Sequence, residues 1–332
     1  GASMPVVQIV TTGGTIASRI DPVSGAAVPV VKADELVAQV PVLSEIAEIR
    51  VTEFSLVGSW NMTPARMAAL ARTVRDLLAE PETAGVVITH GTDTMEESAF
   101  ALSLLLGSEG PVVFTGAMLN ASEPGFDGPR NLVAAVRVAA DPAARELGTV
   151  VVLNNEIHAA RDVTKSHTTA LDTFVSPGLG PLGIVDDRGV WLRRQPTQAP
   201  PPLPLVDPVP GVYLIKMAAG MEDLLLRAAL QGQARGVVVE ASGTGNVYEP
   251  WEDAIADLLA AGIPVVVVSR CPGGRVTFTY GGRGGGKSLE ALGVISGDDL
   301  SGPKARLALM FALGAGWDLE RVHAYFAQLT GD

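Results

Sequence analysis

Two short segments combine glycine with several threonine hydroxyls, and each directly follows a run of β-branched residues. The first is TTGGTIA at residues 11–17, and the second is HGTDT at residues 90–94. Because glycine lets a backbone bend sharply and approach a ligand closely, each segment could present hydroxyls and free N–H groups to a ligand. For one such segment alone, an ordinary turn capped by threonine is the better interpretation. Two of them in one chain favour a ligand site.

A third polar segment, ARDVTKSHTT at residues 160–169, contains Lys165. A lysine in such a segment is most often a solvated surface residue. Its functional interpretation is a charge that tunes a threonine, because a threonine hydroxyl is a weak nucleophile at neutral pH and needs a nearby base or cation. A buried lysine loses its proton more easily and could serve that purpose.

The elements that must position these residues follow from the hydrophobic pattern. Short β-branched runs alternate with longer amphipathic stretches, which is typical of a mostly parallel sheet flanked by helices. For the first part of the chain the pattern predicts strands at Val6–Val10, Val86–Thr89, Val112–Thr115 and Thr149–Leu153, and helices after Thr63–Pro64, after a capping box at Thr94–Glu97, and over Gly128–Ala140. Both glycine–threonine segments then follow strand ends, where open α/β sheets bind ligands.

A proline-rich stretch divides the chain. Seven of residues 196–210 are proline, which excludes a persistent helix or central strand there. After it, the pattern predicts strands at Val212–Lys216, Gly236–Glu240 and Pro264–Ser269, and helices at Met221–Leu230, Trp251–Ala261, Pro303–Leu313 and Leu319–Leu329. We therefore expect a catalytic domain at residues 4–195, a linker at 196–211 and a second domain at 212–332. The larger N-terminal α/β domain should have a mixed, mostly parallel sheet with helices on both faces, and the smaller C-terminal α/β domain a parallel sheet.

Composition excludes several function classes. The formal net charge is −12 with no cluster of lysine and arginine, so nucleic acid is not an expected partner. The single cysteine and four histidines lack the spacing of a metal site. No apolar run is long enough to cross a membrane. No signal-peptide pattern follows Met4, which favours a cytoplasmic location, although a chain already trimmed of its signal would look the same.

One motif points to a different chemistry. Residues 281–288, GGRGGGKS, satisfy the phosphate-loop pattern G-x-x-x-x-G-K-[ST] letter by letter, after a strand-like run at Val276–Tyr280. That motif should open a long helix, but only about one helical turn fits before Gly293. A flexible glycine-rich loop is therefore the better interpretation.

The longer segments around these residues resemble a known family. TTGGTIAS at 11–18 and ITHGTDTMEES at 88–98 resemble the two signature stretches of bacterial L-asparaginases, and ARDVTKSHTT resembles the lysine segment of that family. Further matches follow in family order at DGPRNL (127–132), GPLG (180–183), SGTGN (242–246) and PKARL (303–307). The resemblance implies hydrolysis of a small side-chain amide, without a metal or organic cofactor, by a homotetramer that is a dimer of dimers.

The resemblance also implies a role for particular residues. Thr15 matches the nucleophile on a mobile N-terminal loop, and the rest of the catalytic group matches Thr92, Asp93 and Lys165. The implied substrate contacts are Gly14, Ser59, Trp60, Gly91, Thr92 and Asp93. We expect the hydroxyls of residues 15 and 92 and the amine of residue 165 to converge on one pocket. Residues from about Ile16 to Val30 would form a lid over it.

Three departures from the family pattern leave the substrate open. The lid has no tyrosine, and Trp60 stands where family members have glutamine. In well-known members the small domain also donates an asparagine and a glutamate to the site. Here the matching turn after Ser242 has Thr244 at its first position, and Tyr280–Gly286 contains no acid. L-Asparagine is the expected substrate. The alternatives are D-asparagine, glutamine or an amide without an α-amine, or a catalytically weak member that only binds an amino acid.

Overall fold

The computed structural model describes residues 3–197 and 203–331, and its contacts divide the chain into two compact units, Gly1–Leu205 and Val206–Asp332. Residues 198–202 of the expected linker lie outside the described residues. The linker residues that are described form neither helix nor strand. The domain limits given above remain a prediction.

The first unit is built on a mixed sheet. Its strands are β1 (Val6–Gly13), β2 (Ser18–Ile20), β3 (Ala27–Pro29), β4 (Glu48–Val57), β5 (Thr83–Thr89), β6 (Val112–Thr115), β7 (Thr149–Leu153), β8 (Glu156–Ala159), β9 (Thr164–Lys165), β10 (Phe174–Val175), β11 (Gly183–Asp186) and β12 (Gly189–Leu192). Within residues 3–197, eight of them form one sheet in the order β12-β11-β8-β7-β6-β5-β1-β4. The neighbouring strands β7, β6, β5, β1 and β4 are parallel to one another, and the remaining pairs in this sheet are antiparallel.

Helices cover both faces of this sheet. They are α1 (Ala33–Ala38), α2 (Leu43–Ile46), α3 (Pro64–Leu78), α4 (Met95–Leu106) and α5 (Gly128–Ala140). Alternate residues of the buried strand β1, such as Val7 and Ile9, pack with α1, α2 and α5 on one face. Helices α3 and α4 pack together and contact β5 and β7. The fold class expected for this unit is confirmed.

Local sequence explains one of these elements and misleads on two others. Thr63 caps α3 as predicted, its hydroxyl accepting from Arg66 N at 3.2 Å. Thr94 occupies the N-cap position of α4 as predicted, but its hydroxyl donates to Ser59 O at 2.7 Å and makes no capping hydrogen bond, so the side-chain cap of the predicted capping box is wrong. Strand β4 was not predicted, because it is an edge strand whose half-exposed residues include several charges and hide its apolar pattern.

The second unit has a smaller parallel sheet. Its strands are β13 (Val212–Lys216), β14 (Gly236–Ala241), β15 (Val265–Ser269) and β16 (Ile295–Ser296), and its helices are α6 (Leu224–Gln231), α7 (Pro250–Ala260), α8 (Gly286–Leu292), α9 (Gly302–Gly314) and α10 (Leu319–Thr330). In residues 206–331 these four strands pair in sequence order, all parallel. Trp251 is fully buried in this core, and its indole N–H donates to Met221 O at 2.8 Å. The expected parallel C-terminal sheet is confirmed.

The strand-like run at Val276–Tyr280 is not a strand, so that expectation is wrong. Thr277 N and Phe278 N both donate to Thr244 O, at 3.1 and 3.3 Å, and Phe278 has a φ of +49°. A positive φ takes the backbone out of the extended region that a strand requires. These residues favour a β-strand by type, but they form an irregular loop.

Candidate active site

The two glycine–threonine turns leave the same edge of the main sheet. Strands β1 and β5 are adjacent and parallel, with Thr11 paired with Thr89 in register, so their carboxyl ends lie side by side. The turns then touch through their backbones: a Cβ on Gly14 would lie 2.3 Å from Gly91 N. Gly14 also has a φ of +84°, which side chains disfavour. Glycine is therefore required where the two turns meet.

Lys165 reaches the second turn from the short hairpin of β9 and β10. Its Nζ lies 2.8 Å from Thr92 Oγ1 and 2.8 Å from Asp93 Oδ1. The Lys165 side chain is only 14% exposed, whereas Asp93 is 52% exposed. The structure thus brings together an amine, a hydroxyl and a carboxylate from segments more than 70 residues apart.

Ser59 joins the same turn from a short 3-10 turn, Ser59–Asn61, that precedes α3. Its hydroxyl oxygen accepts from Asp93 N at 3.2 Å, and its carbonyl accepts from the Thr94 hydroxyl at 2.7 Å. A Cβ on Gly91 would lie 2.7 Å from Ser59 Oγ. Because Ser59 Oγ accepts from a backbone N–H, its own proton is available to donate to a ligand.

Thr15 begins a 3-10 turn, Thr15–Ala17, beside this cluster. The turn is held by Ala17 N and by the Ser18 hydroxyl, which both donate to Gly14 O, at 3.1 and 2.7 Å. The half-buried Thr15 hydroxyl makes no hydrogen bond to any residue that the structure describes. Thr12 differs, since its hydroxyl donates to Thr89 O at 2.8 Å and is used in the fold.

Trp60 lies at the margin of the cluster. The side chain is 70% exposed, and its ring packs over Gly58, where an added Cβ would lie 2.6 Å from the ring. An exposed indole next to Ser59 leaves its face open to a ligand. The residues of the expected lid, next along the chain from Thr15, form the antiparallel hairpin of β2 and β3, tipped by the 94% exposed Val23.

Sequence reasoning missed one residue of this cluster. The carboxylate of Glu96, in the first turn of α4, accepts from Lys165 N at 2.9 Å. This contact fixes the backbone that carries the amine, but it spans 69 residues, and a glutamate at the start of a helix is too common to be noticed. In the described part of the chain, no group of three or more His, Cys, Asp or Glu side chains could hold a metal ion.

His90 lies directly under the second turn and is completely buried. Its Nδ1 is 2.7 Å from Gly91 O, and its Nε2 is 2.8 Å from Ser98 Oγ. Burial lowers the pKa of His90 to about 4, outweighing the opposite effect of the hydrogen bond to Gly91. The ring is therefore neutral at physiological pH.

The phosphate-loop pattern at residues 281–288 has a different use in the structure. Arg283 forms ion pairs with Glu249, Glu252 and Asp253, so carboxylates already surround its positive charge. Gly284–Gly286 are buried, and a Cβ on Gly284 would lie 2.4 Å from Val247 O. Helix α8, which follows, has only seven residues. The glycines serve close packing, and the nucleotide-binding interpretation is not supported.

No described helix has both the length and the apolar character needed to span a membrane. Two models of one family match the sequence: "Asparaginase, N-terminal" over residues 6–198 and "Glutaminase/Asparaginase C-terminal domain" over residues 211–326. The chain is 37% identical to a probable L-asparaginase of Deinococcus radiodurans, with 98% of each chain covered. It is 36% identical to a component of the glutamyl-tRNA(Gln) amidotransferase of Methanopyrus kandleri, over 96% of this chain and 72% of that protein.

Among solved structures, a probable cytoplasmic L-asparaginase from Campylobacter jejuni superposes with a TM-score of 0.87 at 33% identity, covering 98% of this chain and 99% of that one. Sequence and fold thus agree over both units of the chain. The protein belongs to the asparaginase family of amidohydrolases.

Proposed function

We propose that this protein hydrolyses the side-chain amide of L-asparagine to L-aspartate and ammonia through a threonine nucleophile and an acyl-enzyme. The observation that carries the proposal is the position of Lys165 Nζ, 2.8 Å from both Thr92 Oγ1 and Asp93 Oδ1. The hydroxyl that this largely buried amine contacts belongs to Thr92, which directly follows Gly91. Gly91 touches Gly14, and Gly14 directly precedes Thr15. Amide hydrolysis by a hydroxyl requires such a proton-carrying neighbour.

In the first step, Thr15 Oγ forms a bond to the amide carbonyl carbon. The proton of Thr15 passes through Thr92 and Lys165 to the departing nitrogen, the carbon–nitrogen bond breaks, and ammonia leaves. Water then attacks the acyl-enzyme, the ester bond breaks and Thr15 regains its proton. Because Thr92 and Lys165 carry the proton, no metal or organic cofactor is required in this scheme.

Backbone N–H groups of the two turns would stabilise the negative charge that develops on the carbonyl oxygen. The Thr92 N–H is suited to this role, because Thr92 is only 5% exposed and this N–H has no acceptor within residues 3–197 and 203–331. A buried N–H without a partner is rare in folded proteins. Such a donor is ready to bind an oxyanion without reorganisation.

Two side chains are suited to the charged groups of an amino-acid substrate. Ser59 would donate its free proton to the α-carboxylate, and the exposed Asp93 carboxylate would face the α-ammonium. Gly14 and Gly91 would form the floor, since no side chain projects from either. Trp60 would offer its exposed ring face to the ammonium, since an indole attracts a cation but cannot accept a hydrogen bond from it.

A second substrate class is favoured by one observation. Asp93 Oδ1 is already bound by Lys165, so this carboxylate is partly neutralised before an ammonium arrives. An amide without an α-amine would not need that charge. Glutamine is a further alternative, because it is one methylene longer than asparagine and pockets discriminate one methylene by only about 1–3 kcal/mol.

Ammonia release from a panel of amides tests the proposal. L-Asparagine, D-asparagine, L-glutamine and succinamic acid are supplied in turn, and kcat/KM is compared. We expect L-asparagine to give the highest value. A higher value for succinamic acid would assign the site to amine-free amides, and binding of asparagine without ammonia release from any amide would reduce the protein to a binding role.

We also propose that the protein acts as a homotetramer, a dimer of dimers, in the cytoplasm. The support is family membership together with the resemblance to a cytoplasmic L-asparaginase in structure. Light scattering coupled to gel filtration should give a mass close to four chains of 34.3 kDa. A mass of two chains at assay concentration, with full activity, would contradict the tetramer.

A further inference from the structure

We infer that His90 is a positioning residue that sets the direction of the Gly91–Thr92 peptide, so that the Thr92 N–H faces the reacting carbonyl oxygen. The inference rests on the proposed amide hydrolysis, and it adds a residue pair, His90 and Ser98, that contacts neither the substrate nor the reacting atoms.

The protons of this pair follow from its hydrogen bonds. Gly91 O can only accept, so the His90 nitrogen 2.7 Å away, Nδ1, must carry the proton. A neutral imidazole has a single N–H, and burial keeps this ring neutral by lowering its pKa to about 4. Nε2 is therefore an acceptor, and the Ser98 hydroxyl 2.8 Å away donates to it. Gly91 O thus fixes the tautomer, and the Ser98 hydroxyl on α4 stabilises it by donating to Nε2.

The direction of the Thr92 N–H follows from peptide geometry. The Gly91–Thr92 peptide bond is trans, as is usual for a bond that does not precede proline. In a trans peptide the C=O and the following N–H point in opposite directions. Gly91 O points at the buried ring, so the Thr92 N–H points away from it and finds no described acceptor.

A flipped peptide would reverse these consequences. The Thr92 N–H would then face His90, and Gly91 O would face the reacting carbonyl, which carries increasing negative charge in the transition state. Gly91 lacks a side chain to hinder such a flip, because the close approach of Ser59 leaves no room for one. The hydrogen bond from His90 is therefore what holds the donor in place.

The first test compares variants by steady-state kinetics. His90→Leu removes both hydrogen bonds while nearly keeping the volume, and we expect kcat to fall about 10- to 100-fold with KM nearly unchanged, somewhat less than the loss of a whole oxyanion donor. His90→Asn keeps a donor near the position of Nδ1 and should recover most of kcat. Ser98→Ala should lie between them.

The matched control is Ser103→Ala, five residues further along α4. The Ser103 hydroxyl donates to Phe100 O at 2.6 Å and has no link to His90, so kcat should be unchanged. Melting temperatures of all variants separate folding from positioning. A purely structural His90 would lower the melting temperature and leave the kcat of the folded fraction intact in His90→Leu, which would overturn the inference.

The second test needs no turnover. Nitrogen-15 chemical shifts of the histidine rings report the tautomer, and we expect His90 to carry its proton on Nδ1 and to remain neutral down to about pH 5, above its lowered pKa of about 4. A proton on Nε2 would overturn the inference even in an active enzyme. Absence of ammonia release by the wild type, with the expected tautomer present, would instead refute the proposed function and the catalytic part of the inference with it.

Discussion

Replacing Thr15 with alanine should abolish nearly all ammonia release while leaving the fold intact. The half-buried Thr15 hydroxyl bonds to no described residue, so its removal costs the folded state little. The loss of a nucleophile removes the covalent route entirely, and we expect kcat to fall on the order of 10³-fold or more. Steady-state ammonia release, with the melting temperature measured in parallel, checks both halves of this prediction.

Two variants make this result specific. Thr15→Ser keeps a hydroxyl and should retain measurable turnover. Thr12→Val removes a neighbouring hydroxyl that donates to Thr89 O, so it should lower the melting temperature without abolishing turnover in the folded protein. If Thr15→Ala remains active and mass spectrometry finds an acyl group on Thr92, then the nucleophile is Thr92, whose hydroxyl already contacts Lys165.

The sequence was sufficient to place both glycine–threonine turns. Strands β6 and β7 agree with the predicted ranges, because strands buried on both faces give unbroken apolar runs. Parallel strands end at one edge of a sheet, so the predicted strand positions also predict that Thr15 and Thr92 lie beyond that edge. That β1 and β5 are neighbours comes from the structure alone. Glycine at residues 14 and 91 could likewise be interpreted as a close backbone approach before the contact between them was known.

The remaining contacts of the site could not be predicted from local pattern. Lys165 lies on a two-residue strand, too short to give a periodic signal, and its partner Thr92 is 73 residues away. Thr94 and Glu97 have the residue types of a capping box, but the Thr94 hydroxyl donates to Ser59 O and not to the start of the helix. Which partner this hydroxyl takes depends on where the 3-10 turn of Ser59 lies in space. Side-chain partners that are brought together by tertiary packing cannot be recognised from the spacing of residues in the sequence.

A sequence motif can also mislead when the secondary structure that it requires is absent. Residues 281–288 satisfy a phosphate-binding pattern in every letter, yet Arg283 is paired with carboxylates and the buried Gly284 packs against Val247. The pattern lacked its strand because Phe278 adopts a positive φ. The family signatures succeeded for the opposite reason, since each turn followed a predicted strand.

Replacing Lys165 with methionine should reduce kcat almost as severely as loss of Thr15. Methionine keeps the apolar stem but removes the amine that contacts Thr92 Oγ1 and Asp93 Oδ1. Proton transfer to the leaving nitrogen would then lack its carrier, and we expect kcat to fall about 10²- to 10⁴-fold. The Lys165 backbone should stay in place, because its N–H bonds to Glu96 independently of the side chain.

Stability distinguishes this loss from unfolding. Asp93 is 52% exposed, so breaking its ion pair should cost the fold only about 0–1 kcal/mol. Denaturant unfolding of Lys165→Met and of a control, Lys287→Met at an exposed position in the first turn of α8, should therefore give similar midpoints. Lys287→Met should keep wild-type kcat. Equal kcat in Lys165→Met and the wild type would show that the amine only neutralises Asp93, and the proton would then have to reach the departing nitrogen through Thr92 and solvent alone.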